Sequence, residues 1–300
     1  MKLYKVTITP ISNFSTTLKG DTLFGQMCWA IRYAFGEERL KVLLSTYNDK
    51  PFLVVSDAFA TGYLPKPKMP SLLLGEDQED KKINRKKLWL TCKQLEDGNC
   101  ADALTNKEAN NREKNIVSMH NSLNYKTFMT SDDGSFAPYG EKEVSFSDRD
   151  IYFLVDENKL TLDELEEAFT LLSESGYGKD TTIGKGRFEF GIFDEQEMQC
   201  SSTIFMTLSP FSPKGLECES IYYEPFTRFG KFGASRAYKS AFKKPILLAD
   251  VASVVEFKSE QRYQYLGRAI TEISDVYRDA VHQGYSIVVP IGVTQRIEES

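Results

Sequence analysis

Polar and apolar residues alternate over residues 2–10, which is the pattern of a β-strand with one buried face. Over residues 20–36 the apolar residues recur at helical spacing instead, and Gly36 ends that pattern. A short helix over residues 37–45 and an apolar strand over residues 52–56 are expected next. The chain therefore opens with a predicted strand–helix–strand unit.

The regular pattern is interrupted over residues 62–114, which carry an acidic run, a basic run and a polar stretch. They contain too few apolar residues for a core of their own, so we interpret them as an insertion. Strands are predicted at 116–122 and 125–129, and the tripeptide DDG at 132–134 is a strong turn signal. The insertion then ends at about residue 143, before an apolar strand over residues 144–155.

The clearest helix of the chain begins after Thr161, which forms a capping box with Glu164. Gly176 ends this helix, and a strand is predicted over residues 187–193. Residues 1–200 therefore run β-α-β, insertion, β-α-β, which is the order of the ferredoxin-like split βαβ fold.

Residues 201–300 contain short predicted strands and resemble a degraded second copy of the same fold, although residues 262–277 fit either a helix or a loop. We therefore predict an α+β protein of two ferredoxin-like (RRM-like) units, the second degenerate. The predicted domains are residues 1–200 and residues 201–300.

A glycine-rich loop, GYGKDTTIGKGRFEF, occupies residues 176–190. Glycine adopts positive φ readily and lets the backbone lie close to a ligand. The loop combines four glycines with three cations, namely Gly176, Gly178, Gly184, Gly186, Lys179, Lys185 and Arg187. This composition predicts a seat for phosphates; the alternative is an ordinary connection that happens to be rich in glycine.

The spacing of this loop excludes the two best-known phosphate loops. A Walker A loop has the form G-x-x-x-x-G-K-[ST], but here five residues separate Gly178 from Gly184, and Gly186 follows Lys185. A Rossmann G-x-G-x-x-G motif also fails, because Thr181 stands where its third glycine is required. The sequence therefore argues against nucleotide hydrolysis.

The composition, 41% hydrophobic and 27% charged, is that of a globular protein without a membrane span. The N-terminus reads as a strand and lacks the apolar region of a signal peptide, so we expect a cytoplasmic protein. The five cysteines form no CxxC pair, and there are only two histidines. We therefore expect no disulfide framework, no metal site and no cofactor.

The net charge of −6 argues against nonspecific binding of nucleic acid by the whole surface, but the cations are unevenly distributed. Six cations stand over residues 81–93. Six more, with no acid among them, stand over residues 228–244, namely Arg228, Lys231, Arg236, Lys239, Lys243 and Lys244. Such local patches allow an acidic protein to bind RNA on one face and other partners elsewhere.

The glycine-rich sequence resembles the signature loop of the RAMP superfamily of CRISPR proteins, which lies between the last helix and last strand of a ferredoxin-like domain. Three further stretches agree. GDTLFGQMCWAI over residues 20–31 resembles the first-helix motif of the family, apart from Gln26, where many relatives have histidine. SDAFATGYLPKP over residues 56–67 resembles the segment after the second strand. Residues 120–146 resemble the hairpin-like thumb inserted in these subunits.

The order of these motifs, together with residues 222–248, is similar to the subunit that caps the crRNA 5′ handle in the type III-A (Csm) effector complex. The resemblance implies a non-catalytic crRNA-binding subunit of a ribonucleoprotein complex in antiviral defence. The partners that it implies are the crRNA 5′ handle, the large polymerase-like subunit and the adjacent backbone RAMP subunit.

Phosphate contacts by backbone amides and cations would position such an RNA. The candidate RNA-binding residues are Gly178, Lys179, Gly184, Lys185, Gly186, Arg187, Arg228, Lys231, Arg236, Tyr238 and Lys239. Aromatic residues among the cations, namely Tyr177, Phe229, Phe232 and Tyr238, would stack on bases or else pack in the core. His120 and Asn121 are the candidates in the thumb, and a polar strand residue is an equally good explanation of His120.

Two alternatives remain open. Related RAMP proteins are endoribonucleases, but acid–base cleavage of RNA usually requires a histidine, and neither His120 nor His282 stands near the first helix or the loop in sequence. Asp21 is the carboxylate to consider there, yet a helix N-cap at Asp21 or Thr22 explains it more simply. A standalone RNA-binding module is the other alternative, although the length, insertion and acidity suit an assembly subunit better. We therefore predict no catalytic residue.

Overall fold

The computed structural model describes residues 1–77, 79–131, 136–197, 201–233, 236, 238 and 241–292. Its strands, in chain order, are β1 (Lys2–Pro10), β2 (Leu53–Val55), β3 (Phe59–Ala60), β4 (Leu64–Pro65), β5 (Lys87–Leu90), β6 (Leu104–Thr105), β7 (Glu113–His120), β8 (Tyr139–Phe146), β9 (Arg149–Val155), β10 (Phe188–Phe190), β11 (Asp194–Gln196), β12 (Ser201–Thr207), β13 (Ser220–Tyr222), β14 (Pro225–Arg228), β15 (Ile246–Ala249), β16 (Val254–Arg262), β17 (Tyr265–Gly267) and β18 (Tyr285–Pro290). The α-helices are α1 (Gly20–Phe35), α2 (Glu37–Ser45), α3 (Lys81–Asn84), α4 (Cys92–Glu96) and α5 (Leu162–Ser175).

The first sheet has the strand order β10-β1-β9-β2, and every pairing in it is antiparallel. β11 continues the pairing along β1, and β3 pairs with β9. The predicted β-α-β, insertion, β-α-β order is present, with α1 and α2 after β1 and α5 after β9. β9 lies in the middle of the sheet and is buried along its whole length, which explains its continuous apolar sequence.

The capping box predicted at the start of α5 is confirmed. Thr161 Oγ1 accepts a hydrogen bond of 3.2 Å from the Glu164 amide, and the Thr161 amide donates one of 3.0 Å to the Glu164 carboxylate. α5 ends at Gly176, as predicted, and it packs against α1 on the same side of the sheet. The glycine-rich loop is therefore held between two fixed elements, α5 and β10.

The inserted segment differs from its prediction in its small sheet and in the turn that replaces one predicted strand. It forms a small sheet, β4-β5-β6, which was not predicted, and its residues Leu74, Leu90 and Leu95 pack into the main core and not into a core of their own. β7 pairs with β8 in a long hairpin, whereas residues 125–129 form a turn and not a strand, with the Phe128 amide bonded to the carbonyl oxygen of Asn124 at 2.7 Å. The predicted turn at 132–134 falls outside the described residues.

The second sheet has the order β13-β16-β12-β18-β17, again with antiparallel pairs, and β14 pairs with β15 beside it. Within residues 201–292, the described positions include no α-helix. Residues 262–277, for which helix and loop were both open, contain the end of β16, strand β17 and a loop. Nowhere in the described ranges is a helix long and apolar enough to cross a membrane.

The two sheets share one hydrophobic core, in which Met206, Val254 and Ile287 pack with residues of β1, β9 and α1. The side-chain amide of Gln283 takes the place of a neighbouring strand along β2: it accepts a bond of 2.9 Å from the Val55 amide and donates one of 2.8 Å to the Val55 carbonyl. The contact between the sheets is therefore both apolar and hydrogen-bonded.

Candidate nucleic-acid interface

The backbone of the glycine-rich loop requires glycine where it folds onto itself. Gly176, Gly178, Gly184 and Gly186 all have φ between 75° and 89°. A Cβ on Gly186 would lie 2.1 Å from the carbonyl oxygen of Tyr177, whereas one on Gly184 would meet nothing within 4 Å. Glycine is therefore required at position 186 by both the lack of space for a Cβ and the positive φ, and at position 184 by the positive φ alone.

Most amides of the loop are used inside the protein. The Tyr177 amide donates to the Gly186 carbonyl at 2.9 Å, the Gly186 amide to the Asn13 carbonyl at 2.9 Å, and the Lys179 amide to Thr16 Oγ1 at 3.0 Å. These bonds tie the loop to the linker between β1 and α1. Within the described part of the chain, the amides that donate to no protein group are those of Gly178, Asp180, Thr181 and Thr182. The amides that are available to bind a phosphate therefore occupy only part of the loop.

Two cations of the loop face acids on β8. Lys185 Nζ lies 2.7 Å from Glu143 Oε2, which also accepts a hydrogen bond of 2.9 Å from Asn13 Nδ2. The Glu143 side chain is only 1% exposed. Burial alone would raise the pKa of Glu143, but the bonds from Lys185 and Asn13 lower it to about 2. Lys185 therefore belongs to a buried ion pair that joins the loop to the hairpin.

Lys179 and Arg187 are more accessible than Lys185. Lys179 Nζ lies 2.5 Å from Glu141 Oε1, and both side chains of this pair reach solvent. The Arg187 side chain is exposed and has no acid partner in the described ranges, while its amide is bonded to Ser12 Oγ at 2.9 Å. Of the three predicted loop cations, Arg187 has no acid partner in the described ranges and could contact a phosphate. Lys179 has an accessible acid partner that a phosphate could replace, whereas Lys185 is held by the buried Glu143.

Asp21 and Arg228 form a buried ion pair at the start of α1. Arg228 donates two bonds to the carboxylate, of 2.6 and 2.7 Å, and His282 Nε2 lies 3.2 Å from Asp21 Oδ2. Burial alone would raise the pKa of Asp21, but His282 and Arg228 outweigh it and hold that pKa well below its usual range. The Arg228 side chain is therefore held by Asp21 and is 20% exposed, and its role as an RNA contact stays a prediction.

The predicted N-cap at Asp21 or Thr22 is wrong, because α1 already begins at Gly20 and neither side chain caps it. The Gly20 amide instead donates a bond of 2.8 Å to Asp57 Oδ1. His282 is distant from the first helix in the sequence, but the fold brings its Nε2 to 3.2 Å from Asp21 Oδ2.

Lys19, which directly precedes α1, joins the two halves of the chain through ion pairs. Its Nζ lies 3.0 Å from Asp57 and 2.8 Å from Asp250, and Asp250 also binds Lys68 at 2.9 Å. Burial of Asp57 is the main reason that its pKa is raised to about 6, which Lys19 partly offsets. No spacing in the sequence indicated this network, because its members come from four separate segments.

The basic segment after Arg228 runs along α1. A Cβ on Gly233 would lie 3.8 Å from Trp29 Nε1, and Arg236 shares a small cavity of about 100 Å³ with Trp29 and Arg32. The segment therefore passes from the start of α1, next to the glycine-rich loop, towards its end. The glycine-rich loop and this basic segment are neighbours at Arg228, which lies near Tyr177 of the loop.

The cations of this segment are supported by aromatic rings. Lys231 Nζ lies 5.0 Å from the centre of the Phe242 ring. The Arg236 guanidinium lies 4.9 Å from the centre of the Tyr277 ring and 2.5 Å from the Asp279 carboxylate. Lys231 is exposed, whereas Arg236 is half-buried. Lys239, the remaining predicted cation, lies outside the described residues.

The four predicted stacking rings divide into two pairs. Tyr177 and Phe232 are buried, so for them the alternative of core packing is the right one. Phe229 and Tyr238 are 73% and 93% exposed. Of the four rings, these two are therefore the ones that are exposed enough to stack on a base.

The hairpin of β7 and β8 carries the thumb candidates. His120 stacks on Tyr139 across the hairpin with ring centres 5.7 Å apart, and Asn121 is exposed just after β7 ends. The far end is unusually apolar for a surface, with Tyr125 and Phe128 89% and 77% exposed. His120 thus has a structural partner, while the tip presents bare aromatic rings.

Among the described residues, no three His, Cys, Asp or Glu side chains converge on a common point that would hold a metal ion. The features that remain for a ligand at this site are cations, amides and exposed rings. Such groups suit a phosphate-bearing, single-stranded ligand.

Comparison with solved structures shows which known fold the chain has. A Csm1–Csm4 cassette in complex with AMPPNP contains a Csm4 chain that matches 98% of this chain and 99% of its own length, with 17% identity and a TM-score of 0.60. The chain has the Csm4 fold. The Csm3–Csm4 subcomplex of a type III-A interference complex agrees, with 96% and 99% coverage, 16% identity and a TM-score of 0.60.

A further Csm1–Csm4 cassette, in complex with pppApA, matches with a TM-score of 0.62, 16% identity and the same 98% and 99% coverage. No protein-family model matches the sequence, and no curated protein is detectably similar to it. The Csm4 fold is therefore visible in the structure although the overall sequence identity is low.

The main site features that sequence reasoning missed are the acids opposite the cations. Glu141 and Glu143 stand on alternate positions of β8, so both point to the face that meets the loop. That alternation was readable in GEKEV, but the pairing of β8 with the loop was not.

Proposed function

We propose that the chain is the crRNA-binding subunit of a type III-A CRISPR interference complex, and that it holds the 5′ handle of a mature crRNA. The observation that carries this proposal is the Csm4 fold over nearly the whole chain, combined with a cationic glycine-rich loop at one end of its first sheet. By analogy with the Csm1–Csm4 and Csm3–Csm4 assemblies, its protein partners are the large polymerase-like subunit and the adjacent backbone subunit.

The two sheets support a description as two ferredoxin-like units. In the first, the strand order is last-first-third-second, with helices α1 and α5 in the two crossovers. In the second, β12, β13, β16 and β18 stand in the same order within the sheet, but the described residues place no α-helix in the connections. Loss of the helices is what makes the second unit degenerate.

The handle would follow the loop and the basic segment. Arg187, Lys179 and the free amides of Gly178, Asp180, Thr181 and Thr182 supply the phosphate contacts. Lys231 with the exposed rings of Phe229 and Tyr238 continues the path. Lys185 and Arg228 act indirectly: each holds an acid that would otherwise repel the RNA. The hairpin, with Asn121 and its apolar tip, is the part that would separate a nucleotide from its neighbours.

We propose no catalysis. Asp21 and His282 are the acid–base pair near the loop that the endoribonuclease alternative would need, but both side chains are buried, 0% and 5% exposed. Burial also lowers the pKa of His282, although Asp21 opposes this. A group enclosed in this way cannot reach a scissile phosphate without a rearrangement. Incubation of the chain with repeat RNA tests this directly, and specific cleavage would overturn the proposal.

The decisive experiment measures handle binding in the assembled complex. The double variant Lys179→Ala/Arg187→Ala removes the two accessible loop cations and spares the buried pair of Lys185. We expect at least tenfold weaker binding of the crRNA, and a salt dependence whose log–log slope is smaller by about 0.7 for each phosphate that is no longer neutralised.

Lys258→Ala/Arg262→Ala is the matched control, because it removes the same charge from exposed positions of β16. Equally weakened binding in both double variants would indicate a general charge effect and remove the loop from the site. Co-purification with the large subunit tests the partner: failure to form a stable pair would favour a standalone RNA-binding module.

A further inference from the structure

A cleft of about 950 Å³ separates the inserted segment from the second sheet. Residues 65–71, 81, 84, 85, 88 and 89 form one side, and residues 221–224 and 251–252 form the other. The Lys68 amide, bonded to the Ala252 carbonyl at 2.8 Å, joins the two sides. None of the residues proposed for RNA lines this cleft.

The cleft has an excess of positive charge that the protein does not neutralise. Lys66 pairs with Glu76 at 2.8 Å, and Lys68 pairs with Glu224 at 2.8 Å. Lys81 and Arg85 also line the cleft, and the described residues provide neither with an acid partner. The chain as a whole has a net charge of −6, so two cations without acid partners in one cleft favour the binding of an acidic ligand there.

One wall of the cleft is formed by an edge strand. β13 pairs with β16 alone in the described sheet, and its residues Ile221 and Tyr222 line the cleft. The outer side of an edge strand presents alternating N–H and C=O groups that another strand can bind. Across the cleft, Leu88 is 40% exposed and offers an apolar contact.

We propose that this cleft binds an extended, acidic segment of a partner polypeptide, which adds to the edge of β13. Its backbone would pair with β13, its acidic side chains would meet Lys81 and Arg85, and its apolar side chains would cover Leu88. A polynucleotide would satisfy the cations but not the alternating backbone groups of a strand, which is why a peptide fits better. The inference does not depend on the proposed handle site.

Two labelled probes test the class of ligand on the full chain: a heptapeptide of alternating Glu and Val, and an oligouridylate of similar charge. The test variant is Lys81→Glu/Arg85→Glu. The matched control is Lys82→Glu/Lys86→Glu, which makes the same charge change in the same segment at exposed positions outside the cleft.

We expect the peptide to bind the wild-type chain, at least fivefold weaker binding to the test variant, and unchanged binding to the control. Hydrogen exchange should slow at the β13 amides that point away from β16, because the peptide backbone would become their partner. Absence of peptide binding to the wild type, or equal weakening in both variants, would overturn the proposal.

Two further outcomes are equally informative. Oligouridylate binding that disappears with Lys81→Glu/Arg85→Glu but persists in the control would identify a nucleic-acid cleft instead. Peptide binding without slower exchange at β13 would contradict strand addition. Because the proposed handle contacts lie at Lys179 and Arg187, failure here would leave the RNA proposal untouched.

Discussion

At the scale of single residues, the start of α1 shows how a short motif can have more than one structural purpose. Gly20 and Asp21 follow each other in the sequence, yet Gly20 permits close packing and Asp21 holds Arg228 and His282. A Cβ on Gly20 would lie 2.3 Å from the Val55 carbonyl oxygen and 2.8 Å from Ser209 Cβ. The absence of a side chain therefore lets α1 touch both halves of the chain.

Gly20→Ala should destabilise the protein by about 3 kcal/mol, because the added methyl group meets rigid backbone in a packed interior. Gly25→Ala on the same helix is the control: its Cβ would meet nothing within 4 Å, and alanine favours a helix over glycine by about 0.5–1 kcal/mol. Urea unfolding of both variants measures the difference. Similar stabilities for the two variants would contradict the close approach at Gly20.

Asp57 should give the chain a distinctive pH dependence. Its pKa is about 6 when folded against 3.8 as the ordinary value, so the folded chain binds this proton more tightly than the unfolded chain. Its contribution is greatest below about pH 4 and falls by about 3 kcal/mol as the pH rises through 6. Asp57→Asn should remove this decline, seen as a flatter plot of unfolding free energy between pH 4 and 7.

Asp49→Asn provides the comparison for that measurement, because Asp49 is exposed. The plot for this variant should follow the wild type. If Asp57→Asn retained the decline, the raised pKa would have to be assigned to another buried group.

At the scale of elements, periodicity predicted the helices and strands that are determined by nearby residues in the chain. It missed the contacts between residues that are far apart in the sequence. The alternation of β1, the apolar stripe of α1 and the capping box of α5 each lie within a few residues, and all three elements are present. The bond between Arg228 and Asp21 joins positions 207 residues apart, and no spacing rule reaches that far. For the same reason the loop was recognised, but the acids of β8 that face it were not.

The pairing of the loop with β8 predicts two different costs for two neighbouring lysines. Lys185→Ala leaves the buried Glu143 carboxylate without its cation, which should cost about 3–5 kcal/mol. Lys179→Ala breaks a pair that is largely in solvent and should cost less than about 1 kcal/mol. Thermal unfolding measures both, and hydrogen exchange in β8 should become faster in Lys185→Ala alone.

Glu143→Gln combined with Lys185→Ala is the check on the cause. It removes the buried charge together with its partner, so much of the stability should return. No recovery would mean that Lys185 stabilises the loop through packing and not through its charge.

At the scale of the whole molecule, the question is whether the predicted units, residues 1–200 and 201–300, behave as separate domains. Separate domains with a small polar interface would unfold independently. Here the main core includes residues of both sheets, and Gln283 of the second half satisfies the backbone of β2 in the first. We therefore expect a single cooperative transition.

Gln283→Ala tests this cooperativity. The change leaves the buried amide and carbonyl of Val55 without partners, which should lower the stability of the whole chain by about 2–4 kcal/mol. Gln261→Ala, whose side chain bonds only to Ser259 in the described structure, should have little effect.

Two probes separate the possible outcomes, since tryptophan fluorescence reports on Trp29 and Trp89 in the first half and circular dichroism reports on both sheets. If the core is shared, the two signals change together in wild type and variant, and both midpoints fall by the same amount in Gln283→Ala. A second-half transition that moves while the tryptophan signal stays would show that the halves are energetically independent. The two halves would then be separate domains that touch without sharing a cooperative core.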